Sequence, residues 1–151
     1  MRKRTLGREC ALQILYQLEL NKDDLPSVLS DFWSQNGIDA DKSVREFADS
    51  LVTGTRENIA KLDEVISKYA DNWQISRMAV VDRNILRLAT YEMLFVDDIP
   101  PKVSINEAIE LAKKYGDIES SKFVNGVLDK INHSEKTRYP GSQDVPSEVS
   151  G

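Results

Sequence analysis

The sequence is poor in the residues that much of the chemistry of small proteins requires. Cys10 is the only cysteine and His133 the only histidine. An intrachain disulfide needs two cysteines and a zinc cage several Cys or His ligands, so neither can form from this chain. A single cysteine agrees with a reducing compartment. Glycine and proline are also few, 7 and 5 in 151 residues, which disfavours a turn-rich β-sandwich and disorder across the body of the chain. No apolar run approaches the roughly 18–20 residues of a membrane span. The start is basic, but the segment behind it, Cys10 to Leu20, is interrupted by Gln13, Gln17 and Glu19. A secretory signal would be continuous there, so the expected location is cytoplasmic.

Catalytic signatures are missing too. The chain has no P-loop, no GxGxxG and no GxSxG, the patterns that would announce nucleotide binding or a nucleophile elbow. Cys10 falls on the apolar stripe of the first expected helix, where it reads as a small buried hydrophobe. His133 lies at the edge of an expected tail, so no Cys–His pair is expected. Asp23-Asp24 and Asp97-Asp98 are adjacent in loops and read as solvated or helix-capping groups. No catalytic residue, metal ligand or cofactor is assigned, and the chain is not expected to be an enzyme.

What is present is helical periodicity, from about residue 6 to 132. The length suits one domain or two small packed lobes. A first helix from about Leu6 to Leu20 carries Cys10, Ala11, Ile14, Leu15 and Leu18 on one stripe. Pro26 fits the first turn of a second, which ends at Asn36-Gly37. Ser43 and Glu46 have the spacing of a capping box, with Asp41 as an alternative cap. Thr53-Gly54-Thr55 marks a kink or break, after which helix continues to about Trp73. Ser76 is a candidate cap for a helix ending near Phe95, apolar on much of its circumference and therefore central. Ser104 and Glu107 form another capping box, opening a helix closed by Gly116. The last helix carries Phe123, Val124, Val127, Leu128 and Ile131. Gly126 would let a neighbouring helix approach, and Asn106 and Asn125 would hydrogen-bond between helices. Arg83 and Arg87 share a face and invite salt bridges. There is no strand signal, internal repeat or low-complexity block, so the class is all-α.

The net charge of −5 conceals an asymmetry: residues 1–8 carry +4 from Arg2, Lys3, Arg4 and Arg8, leaving −9 on the remainder. A basic start on an acidic body suggests a local polyanion contact rather than a broad basic face. Four cations would engage about three or four phosphates, and guanidinium groups pair with phosphate and stack on bases. Tyr69 beside Lys68, and Phe123 beside Lys122, are candidate stacking residues, although both also fit core stripes.

Three blocks carry a resemblance. They are the runs from Arg77 to Phe95 (RMAVVDRNILRLATYEMLF), Ile99 to Gly116 (IPPKVSINEAIELAKKYG) and Ser121 to Ile131 (SKFVNGVLDKI). Together with Arg8 to Tyr16 (RECALQILY), they resemble the NusB transcription antitermination family over about residues 2–132. Residues 21–75 match mainly in pattern. The resemblance implies two packed three-helix bundles, about six to seven helices. The expected organisation is a basic arm at 1–8, a helical body at 9–132 with lobes of about 9–73 and 76–132, and a disordered tail at 133–151. It further implies a non-catalytic adaptor that binds boxA-type single-stranded RNA with the ribosomal protein NusE and joins the RNA polymerase elongation complex, notably on ribosomal RNA operons. Arg2, Lys3, Arg4, Arg8, Tyr69, Glu119, Lys122 and Phe123 resemble RNA-contacting positions. Tyr16 and Asp82 look like contacts for the NusE-type partner. The alternatives are a regulatory homodimer, or an RNA-guiding helical domain related to that of RNA cytosine methyltransferases.

Overall fold

The helical periodicity resolves into seven α-helices, and no strand, among the described residues of the computed structural model, which are 2–36, 41–71 and 73–140. They are α1 (Lys3–Asn21), α2 (Leu25–Asn36), α3 (Lys42–Glu57), α4 (Ile59–Tyr69), α5 (Val80–Phe95), α6 (Pro101–Tyr115) and α7 (Ser120–Ser134), with a 3₁₀ turn at Ile75–Arg77. None of them is long and apolar enough to cross a membrane.

Local chemistry sets most of the ends. Asp24 accepts hydrogen bonds from the Ser27 amide (3.2 Å) and hydroxyl (2.8 Å) at the start of α2. Asp41 caps α3 through the Ser43 and Val44 amides, at 3.0 and 3.3 Å. Both carboxyls are held below the ordinary aspartate range, chiefly by the serine hydroxyl each one accepts from. Asp41, not Ser43, is thus the cap. Ser104 does not cap either. Pro101 starts α6 a turn earlier, and the Ser104 hydroxyl instead donates to the buried Glu92 carboxylate at 2.8 Å. Ser76 lies inside the 3₁₀ turn, and α5 begins at Val80. The break expected at Thr53-Gly54-Thr55 falls at Asn58, because Gly54 and Thr55 are buried within α3.

The chain divides into two units between Glu57 and Asn58. In the first, α1 packs against α2 and α3 with Ile14, Leu15, Phe32, Val44, Ala48 and Leu51 buried. The Trp33 indole N–H donates to Asp49 at 2.8 Å, tying α2 to α3. A Cβ on Gly7 would come within 2.8 Å of the Phe47 ring, so glycine allows α1 to lie close to α3 there. Cys10 is buried as expected, and burial pushes its thiol up to about 11.

The second unit holds α4 to α7. Here α5 is central, packed against α4, α6 and α7. Arg87 of α5 pairs in a bidentate way with Asp63 of α4, Nε to Oδ1 at 2.8 Å and Nη2 to Oδ2 at 2.9 Å. Arg83 donates to the Met78 carbonyl at 3.0 Å. Gly126 does not admit a helix. It is exposed, and a Cβ there would meet nothing within 4 Å. Asn106 and Asn125 are exposed as well.

The start of the expected tail is part of this unit. Helix α7 runs to Ser134, the Tyr69 hydroxyl donates to Glu135 Oε2 at 2.7 Å, Thr137 is buried, and the Arg138 amide donates to the Met93 carbonyl at 2.9 Å. These contacts hold residues that carry no helical stripe of their own. Residues 141–151 of the expected tail lie outside the described residues.

Gly126→Ala should stabilise the protein by about 0.5–1 kcal/mol through helix propensity alone, read as a higher urea midpoint at unchanged slope. The hydrogen bond from Tyr69, helped by Lys68, holds the Glu135 carboxyl below its ordinary value of 4.5. The folded state thus favours the ionised form, and its stabilisation is present above 4.5 and lost as pH falls through the lowered value. The Glu135→Gln variant should show a flatter acid limb in a series of urea midpoints against pH.

Candidate nucleic-acid interface

In the first unit the basic start is helical from Lys3 onward, not a free arm. Arg2 is exposed with extended backbone (φ −67°, ψ 145°), and its carbonyl accepts the Leu6 amide at 3.0 Å. Cations at the positive end of a helix are electrostatically unfavourable, and neighbouring groups offset this. Lys3 Nζ lies 3.6 Å from Asp41. The guanidinium carbons of Arg4 and Arg8 lie 4.8 and 5.4 Å from the centroid of the Phe47 ring, within cation–π range. Arg8 is only 3% exposed, whereas Arg2, Lys3 and Arg4 are exposed. Further along α1, Tyr16 is 40% and Leu20 54% exposed, four residues apart on one face.

In the second unit, a groove of about 870 Å³ is lined by Trp73, Arg77, Met78, Ala79, Asp82, Asp117, Glu119, Ser120, Lys122 and Phe123. It gathers Asp82, Glu119, Lys122 and Phe123 of the expected site residues. Tyr69 is not among its walls; it lies on α4, bonded to Glu135. Asp82, expected at a protein partner, shares the groove with the expected RNA contacts.

The floor of the groove is fixed by Ser120. Its hydroxyl donates to Asp82 Oδ1 at 2.7 Å and accepts the Asp117 amide at 3.0 Å. Asp117 also accepts the Glu119 amide at 3.0 Å. This turn sets the first turn of α7, from which Lys122 projects as an exposed cation. Phe123 sits one residue on, its amide bonded to the Glu119 carbonyl at 3.1 Å.

Trp73 and Arg77 complete the groove and escaped the reading of the sequence. Trp73 is 53% exposed and meets Phe123 edge to face, with centroids 5.9 Å apart and planes at 63°. The periodicity places Trp73 at the end of a helical stripe, but α4 stops at Tyr69. A tryptophan just past a helix with no stripe to join was the available signal. Two cations and three carboxylates share this surface with two aromatic rings. The balance does not favour phosphate. It favours stacking on flat bases, with carboxylates placed to accept base N–H groups. Among the described residues, no group of three His, Cys, Asp or Glu side chains is placed to hold a metal ion.

The pattern of the NusB family matches residues 5–133. A transcription antitermination protein NusB of Desulfitobacterium hafniense is 48% identical over 95% of this chain and 97% of its own. Its counterpart in Thermodesulfovibrio yellowstonii is 43% identical over 88% and 93%. Among solved structures, NusB of T. maritima superposes with a TM-score of 0.81 at 39% identity, covering 96% of this chain and 98% of that one. A crystal structure of the antitermination factors NusB and NusE in complex with double-stranded RNA contains a chain that superposes with a TM-score of 0.79 at 32% identity, covering 87% and 96%. The chain belongs to the NusB family.

Proposed function

We propose that this chain is a cytoplasmic transcription antitermination factor, a non-catalytic adaptor that binds boxA-type single-stranded RNA together with NusE and joins the RNA polymerase elongation complex, notably on ribosomal RNA operons. The observation that carries the RNA reading is the edge-to-face pair of exposed Trp73 and half-buried Phe123 beside Arg77 and Lys122 in the groove of the second unit. A half-exposed tryptophan ring contributes little to folding and suits unstacked bases. The start of α1 supplies the complementary element. Arg2, Lys3 and Arg4 stand at the positive end of a helix, where backbone amides and cations together attract phosphate. Arg8, buried against Phe47, would act by holding this turn. Family membership supports the antitermination role, and the relative seen with NusE and double-stranded RNA supports NusE and RNA as partner classes; the preference for a single strand rests on the groove. For NusE we assign the exposed Tyr16 on α1, as the resemblance implies, with Asp82 as a second contact.

Binding of a boxA-type RNA, followed by fluorescence anisotropy, should be weak for the chain alone and tighter with NusE. Each phosphate neutralised on a single strand contributes about −0.7 to the log–log salt slope, so replacing Arg2, Lys3 and Arg4 by alanine should flatten that slope by up to about 2. Unchanged affinity and slope in that variant would remove α1 from the RNA site.

A duplex of the same sequence should bind less well, because its bases are not free to stack. Phe123→Ala should weaken single-strand binding by about 1–3 kcal/mol, the usual worth of a base–aromatic stack. Of the two tryptophans, Trp33 is buried at 1% exposure, so quenching on RNA addition should vanish in Trp73→Ala. Quenching that persists would place the RNA elsewhere.

A further inference from the structure

Tyr69 and Lys68 converge on one oxygen that belongs to the chain itself. The Tyr69 hydroxyl donates to Glu135 Oε2 at 2.7 Å, and Lys68 Nζ lies 3.6 Å from the same atom. Lys61, seven residues before Lys68 and so on the same face of α4, adds to the positive field on this carboxylate. One hydroxyl donor and one ammonium group at a single anionic oxygen, in the added field of the more distant Lys61, form the kind of environment that a phosphate oxygen requires. We infer that this is a phosphate subsite for RNA, occupied in the free protein by the Glu135 carboxylate as an internal competitor. This rests on the RNA-binding reading above.

The backbone allows the exchange. Glu135 is the first residue beyond α7, with its amide bonded to the Ile131 carbonyl at 2.8 Å. The residues after it are anchored separately, by the buried Thr137 and by the Arg138 amide on Met93. The Glu135 side chain, 19% exposed, can therefore turn outward without releasing the segment. Tyr69 and Lys68 would then be free for a phosphate. The internal carboxylate sets a threshold: an anion has to displace it, so a lone phosphate binds poorly, whereas an RNA held at other points gains the site. The same contact explains why the Tyr69 hydroxyl is pushed above its ordinary range, since its proton is held by a carboxylate.

The test uses the full chain with NusE and a boxA-type RNA. Glu135→Gln keeps an acceptor for Tyr69 but loses the charge. It should bind RNA about 3- to 10-fold more tightly, the scale of one competing charge-assisted hydrogen bond at a partly exposed site. Most of this gain should disappear in Tyr69→Phe/Glu135→Gln. Lys68→Gln, which leaves the Tyr69–Glu135 bond in place, should bind less tightly than the wild type. The urea midpoint should fall in Glu135→Gln on either reading; if Glu135 only anchors the fold, RNA affinity will be equal or weaker, which overturns the subsite while the wild type still binds RNA. A second arm needs no RNA. Inorganic phosphate is titrated while the Lys68 and Tyr69 amide resonances are followed. Glu135→Gln should saturate at several-fold lower phosphate than the wild type, and Lys68→Gln/Glu135→Gln should not. Absence of any such shift overturns the subsite. If the wild type fails to bind RNA yet the phosphate arm succeeds, the anion site stands and the RNA reading falls.

Discussion

The groove of the second unit depends on the placement of one hydroxyl. Ser120 is 2% exposed, and its Oγ occupies the space where a Cβ on residue 116 would sit, only 2.5 Å away. Gly116 is therefore required by close approach and not by backbone angle, since its φ is −93°. From that position the hydroxyl reaches back to Asp82 on α5 and takes the Asp117 amide. One side chain thus fixes where α6 ends, where α7 begins and how both meet the central helix. Glu119, Lys122 and Phe123 take their positions from this joint. A buried hydroxyl with both donor and acceptor roles filled is far more stabilising than one left unpaired, so the same contact that orders the groove also stabilises it.

The sequence made the helices legible because their buried stripes recur at the helical period, and most apolar positions read from it are buried. Caps were legible only where local bonding has no rival. Asp24 and Asp41 sit at exposed helix starts and bond their own first-turn amides. Ser104 has the spacing of a capping box, but a buried carboxylate twelve residues away claims its hydroxyl, and no local pattern contains that demand. Gly126 misled for the opposite reason. A glycine within a helix suggests a close neighbour, yet this one faces open space. The boundary between units was hidden because α4 follows α3 after one residue, Asn58, while its bonding partners, such as Arg87, lie far along the chain. The residues after His133 lacked any stripe, and their order comes from backbone and side-chain contacts to α4 and α5. The family blocks singled out Glu119, Lys122 and Phe123, and the fold brings these three into one groove. Only the fold shows that Asp82, Trp73 and Arg77 line the same groove.

Charge is segregated by task within this acidic chain. A net charge of −5 opposes nonspecific adsorption to polyanions, so attraction has to be local. It is concentrated where Arg2, Lys3 and Arg4 meet the positive end of α1, a placement that costs helix stability and is offset by Asp41 and by the Phe47 ring. The groove works differently. Its carboxylates repel phosphate and so disfavour any register that would place backbone in it, whereas a base with exocyclic amino groups meets acceptors and rings. On the RNA-binding reading proposed above, repulsion and attraction together would discriminate between parts of the same nucleotide, which neither could do alone. In the subsite proposed at α4, the Glu135 carboxylate held by Tyr69 and Lys68 would admit a phosphate only when other contacts deliver it. Weak binding by the isolated chain and tighter binding beside a partner are then expected from the charge layout itself, because each element alone attracts too little to overcome the acidic body around it.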